Sequence, residues 1–130
     1  EDTGVRAYKG QAPNLLGNQV VLTAALSIHA VEARHASAVR FLRANKYNAT
    51  VFPWITSTTA TGNDTGIALV NANYAGENNV MQGTVDLTTL PGATMGSKTS
   101  VATATASFDE PLDMAAVLAL LSGTFIVKAA

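Results

Sequence analysis

From Asn18 to Asn45 the apolar residues Val21, Ala24, Ile28, Val31, Val39 and Leu42 recur at intervals of three and four, with one gap of eight between Val31 and Val39. That period predicts one long helix over 18–45, with a single apolar stripe turned toward a partner surface. Asn18 is a suitable N-cap, and Arg40, Arg43 and Lys46 near the other end suit the negative pole of the helix dipole. Glu32 and His35 lie inside the stripe. His29, Ala33, Ala36 and Arg40 run along a different face, which marks His29 as a surface or edge residue.

Patterning elsewhere is weaker. Residues 1–9 read as the closing turns of a helix that begins ahead of Glu1, a cut or processed end, and Gly10 with Pro13 breaks that helix. From Tyr47 to Ser107, Thr, Asn and Gly dominate. Helix is not expected there, and the candidate strands are Thr50–Thr56, Gly66–Ala72, Val80–Leu87 and Ser100–Ala106. Hairpins or an extended excursion packed on the helices would avoid a structureless loop of that length. A short helix follows over Asp113–Leu121, with Asp113 as N-cap, Pro111 before it and Gly123 as its stop. Its Met114, Val117, Leu118 and Leu121 would close over one end of a helical bundle.

Composition narrows the function classes. Eight basic against nine acidic residues leave a net charge of -1, no broad electrostatic basis for binding nucleic acid or an anionic membrane. Arg34, Arg40, Arg43 and Lys46 lack interleaved aromatics and read as a solvated face. The most apolar stretch, Val20–Val31, contains His29 and is far shorter than the roughly 20 residues of a membrane span, so no transmembrane segment is expected. Cysteine is absent, so any metal must be held by carboxylate and imidazole.

Glu32 and His35, three apart on one helix, project to the same side and could bind one metal ion or bridge to a second. If the stripe is buried, leaving the pair unpartnered would cost several kcal/mol by typical magnitudes. A metal is one compensator; Arg34, Arg6 or a group on a partner helix is another. The ligand reading therefore requires His35 to be shielded from solvent. Glu-x-x-His also arises by chance, as a hydrogen-bonded polar pair in a helix interface. Tyr8 is either a redox neighbour of such a site or, more commonly at a helix end, a packing residue.

The run GVRAYKGQAP, the helix bearing IHAVEARHASAVR, and the later FDEPLDMAAVLALLSGTFI occur in this order. Together they resemble the ferritin-like family of desiccation-related and fungal stress-response proteins, over residues 1 to about 43 and 107–127. The resemblance implies a mainly α fold, a four-helix bundle in which two helices each give one Glu and two others each give Glu-x-x-His, holding two metal ions. Glu32 and His35 match the second Glu-x-x-His, and Glu1 matches the lone Glu of the preceding helix.

The first Glu and the first Glu-x-x-His have no counterpart here. On this resemblance residues 1–45 are the second half of the bundle, 46–107 a Thr-rich β or irregular insertion, and 108–130 a short C-terminal helix and tail packed on the bundle. The other half would come from an upstream segment, the favoured source, or from a second chain in a homo-oligomer. Iron or manganese suits the ligands, and dioxygen or peroxide handling is the implied chemistry. A metal-free structural or stress-protective protein using the bundle as an assembly scaffold is the alternative.

Two glycosylation sequons begin at Asn48 and Asn63 in the Thr-rich stretch, and with the resemblance they point to a secreted glycoprotein. Phe52, Pro53 and Trp54 form a small hydrophobic anchor or an assembly contact.

Overall fold

The computed structural model describes residues 1–55 and 65–122. These are mainly helical. Helix α1 (Asp2–Gln11) runs into a 3-10 turn (Ala12–Leu15) and then into α2 (Gln19–Tyr47), so α1 and α2 form a helical hairpin. Beyond it come α3 (Ala68–Asn71) with a 3-10 turn (Ala72–Tyr74), the strands β1 (Met81–Gln82) and β2 (Val85–Asp86), and the helices α4 (Val101–Thr105) and α5 (Met114–Leu121).

Local chemistry sets the ends of α2. The Asn18 side chain accepts a hydrogen bond from the Val21 N–H, and at the far end Asn48 adopts the left-handed conformation, φ 52°, which Asn tolerates better than most residues. The Ala49 N–H donates to the Arg43 carbonyl and closes the last turn. Asn18→Ala is expected to lower the urea midpoint by an amount equivalent to about 1 kcal/mol, the usual worth of an N-cap.

The face of α2 that α1 covers differs from the expected one. Ala25, Ala36 and Arg40 are buried, with His29 and Ala33 half-buried between them. The expected stripe lies open: Ile28 is 41% exposed, Val39 50% and Leu42 55%. Both faces are apolar, and α1 packs on the one whose alanines permit close approach. His29 is therefore no surface residue, because its Nε2 is shut off from solvent and has no hydrogen-bond partner among the described residues. Nor is Arg40 part of a solvated face. It is 7% exposed and pairs with Asp2.

Within the Thr-rich stretch two expected strands are helical. Ser100 accepts from the Thr103 N–H and starts α4, so a cap outweighs the strand preference of the β-branched residues over 100–106. Residues 66–72 contain α3, and the Asn71 side chain accepts from the Thr65 N–H and O–H to tie its ends together. Residues 50–55 form no strand, and Thr56 lies outside the described residues. Residues 80–87 fold back on themselves as an antiparallel hairpin, Met81 opposite Asp86, around Gly83 at φ 61°. Helix α5 starts at Asp113 as expected, its side chain accepting from the Ala116 N–H. Gly123, its expected stop, lies outside the described residues.

The best-buried large side chains are Arg6, Glu77 and Thr105. A polar knot thus clamps the excursion onto α1. The Arg6 Nε lies 3.0 Å from Glu77 Oε1 and donates to the Glu110 carbonyl, while the guanidinium also donates to the carbonyls of Asn73 and Ala75. Glu77 accepts the Glu110 N–H, and the Leu112 N–H donates to the Arg6 carbonyl.

Candidate metal centre

Glu1 caps the N-terminus of α1, and one turn on, Gly4 faces Glu32 of α2. A Cβ at Gly4 would stand 3.5 Å from the Glu32 Cγ, so the two helices cross closely here. His35 follows Glu32 by three residues and reaches back to the same point. Its Nδ1 is 3.4 Å from Glu1 Oε1 and 4.0 Å from Glu32 Oε2. One donor atom from each of the three residues lies within 4.8 Å of the other two. With metal–ligand bonds of roughly 2.0–2.2 Å, two ligands of one ion sit at most about 4.4 Å apart, so small side-chain rotations suffice.

The electrostatics carry the same message. A side-chain hydrogen bond between the two carboxyls lowers Glu1 and raises Glu32 relative to ordinary glutamates. A cation between the two carboxyls would serve both. Two carboxylates and one imidazole form a donor set suited to iron or manganese, so the residues present fit such an ion.

Burial does not match the expectation. The His35 side chain is 57% exposed and that of Glu1 42%, with Glu32 at 27%. The shielding of His35 that the ligand reading requires is not met by this chain by itself, so desolvation does not compel a cation and only the convergence of the three donors supports the reading. His35 lies in the middle of the open apolar stripe, between Ile28 and Leu42, so its exposure is shared by the whole face. Of the two arginines expected as compensators, Arg6 is committed to Glu77 and Arg34 is exposed. Tyr8 sides with packing, lining an apolar groove with Leu15, Val21 and Ile28.

The two sequons part company. Asn48 is exposed at the end of α2, whereas Asn63 lies outside the described residues. Phe52 and Trp54 stack at 5.4 Å and remain about half exposed, and it is the neighbouring Ile55 that is buried. The Arg6–Glu77 pair escaped the sequence reading. Its one signal is that Glu77 is the sole charged residue between Asp64 and Asp86.

A helical hairpin that presents a Glu from one helix and Glu-x-x-His from the next has the form of half a carboxylate metal centre. Residues 1–45 match the family model of the ferritin-like domain, a stretch that spans α1, nearly all of α2 and all three members of the trio. No curated protein and no solved structure matches the chain.

Proposed function

We propose that this chain is a ferritin-like metal-binding protein whose Glu1, Glu32 and His35 supply half the ligands of a di-iron or di-manganese carboxylate centre. The observation that carries the reading is the approach of three donors from two helices to within 4.8 Å of one another. The open stripe on α2 gives the other half of a bundle a surface on which to pack, from an upstream segment of the same precursor or from a second chain. When bound, such ions supply dioxygen or peroxide activation. The protein's residues hold the ion and keep its surroundings apolar. In this proposal the protein is exported, its stress-related role is that of the desiccation-related proteins it resembles, and Asn48 and Asn63 carry glycans.

The exposure of His35 favours a second reading, a metal-free scaffold that keeps the helices for assembly or protection. Metal analysis of the native protein separates the two. About two iron or manganese ions per assembled bundle, lost on Glu32→Ala with helicity retained, support the metal centre. Absence of metal in native material, together with no Mn(II) binding by calorimetry, overturns it in favour of the scaffold.

A further inference from the structure

We propose that the pocket bounded by α1, α2 and residues 53–55 and 106–109 binds a small alkylammonium ion, with Asp109 as counter-charge and Trp54 and Phe108 as ring walls. The pocket measures about 250 Å³ and lies on the flank of α2 turned away from His35, outside the candidate metal centre. It exists because α2 lines it with Ala33, Ala36 and Ser37, side chains too small to fill the gap. That volume is below the roughly 300–1,000 Å³ typical of drug-sized ligands, so it suits a compact head group.

The charges of the wall select the sign of the ligand. Arg40 donates to the Asp2 carboxylate and, at 3.2 Å, to the Pro53 carbonyl, and the other Asp2 oxygen accepts from the Tyr74 hydroxyl at 2.9 Å. That pair is neutral and already engaged. Asp109 is the third charge, and among the described residues no hydrogen bond reaches its carboxylate, since Lys9 donates to its backbone carbonyl instead. Burial, and then the charge of Asp2, hold the Asp109 carboxyl above its ordinary range. Arg40, Lys9 and His29 offset part of this. An anion would meet two carboxylates beside a guanidinium already paired with Asp2.

The rings suit the same ligand. Phe108 already receives one cation, with the Lys9 ammonium 5.8 Å from its ring centroid. Trp54 is braced by its stack on Phe52. Ring faces beside a carboxylate bind alkylated ammonium ions, which are held by the ring quadrupole and the counter-charge together.

Trp54 is the only tryptophan in the chain, so intrinsic fluorescence reports on this pocket. Titration with tetramethylammonium chloride is expected to give a saturable change, and neutral tert-butanol and sodium acetate are expected to give none. Asp109→Asn should weaken the response about tenfold and Phe108→Leu severalfold, in variants whose circular dichroism is unchanged. The proposal is overturned if tetramethylammonium gives no saturable change, if tert-butanol binds equally well, or if acetate saturates the signal. The comparison of ligands on the unaltered protein decides the matter even if a variant fails to fold.

Discussion

Glu77→Gln is expected to leave the protein at least as stable at about pH 8, and to remove the stability that the unaltered chain gains on acidification to about pH 5. Burial pushes the Glu77 carboxyl up from 4.5 to about 7, and the Glu110 N–H and the Arg6 charge offset only part of that rise. The folded chain therefore keeps a proton on Glu77 that the unfolded chain has already lost between those values. The resulting stability is fully present below about 4.5 and disappears as pH rises through about 7, on the order of 3 kcal/mol. Gln keeps an oxygen for the Glu110 N–H and for Arg6 without a charge to desolvate. Arg6→Met acts in the opposite direction. It leaves Glu77 buried and unpaired and should cost about 3–5 kcal/mol at about pH 8, less at about pH 5, where Glu77 is neutral. Urea midpoints at the two pH values provide the check. A loss of more than about 2 kcal/mol in Glu77→Gln at the higher pH, or a pH slope that survives in it, would mean that the ion pair outweighs desolvation.

What the sequence reveals and what it hides follow from the range of the interactions. Helix α2 was legible because its evidence is local, an Asn cap at one end and a three-to-four residue period behind it. Helix α5 was legible for the same reason through Asp113. Glu32 and His35 share a side because they are three apart on a helix, and that geometry needs no tertiary information. The covered face of α2 was not legible. Apolar side chains ring much of this helix, and only the approach of α1 at Gly4, Ala25 and Ala36 selects a side. Short helices such as α4 were misread because β-branched composition spoke for strands, whereas a single Ser100 hydroxyl at the right position was decisive. The Arg6–Glu77 knot joins residues far apart in the chain, and no periodicity announces such a pair. Glu1 became a candidate ligand only through resemblance, and the hairpin then brings it to His35.

Gly10→Ala is the other substitution expected to have a large effect, and its sign runs against helix propensity. Gly10 lies in α1, where replacing Gly by Ala should gain about 1 kcal/mol if nothing else changed. A Cβ at Gly10 would fall 1.9 Å from the Leu112 carbonyl oxygen and 2.7 Å from its carbon, both backbone atoms that cannot rotate away. So Gly10, expected to break the helix, instead allows residues 109–112 to lie against it. That segment is fixed by the bonds from the Leu112 N–H to the Arg6 carbonyl and from the Arg6 side chain to the Glu110 carbonyl. Relieving the clash means moving it and losing these bonds. Overpacking costs about 1–3 kcal/mol, and each lost hydrogen bond about 0.5–1.5 kcal/mol more. The net expectation is a loss of about 2–4 kcal/mol, after the propensity gain is subtracted. Gly17→Ala, where an added Cβ meets nothing within 4 Å, should stay within about 0.5 kcal/mol and serves as the control. Because residues 106–109 also wall the pocket, Gly10→Ala should weaken tetramethylammonium binding while leaving Glu1, Glu32 and His35 in place. If the two glycine variants unfold at the same urea concentration, the 109–112 segment does not rest on α1.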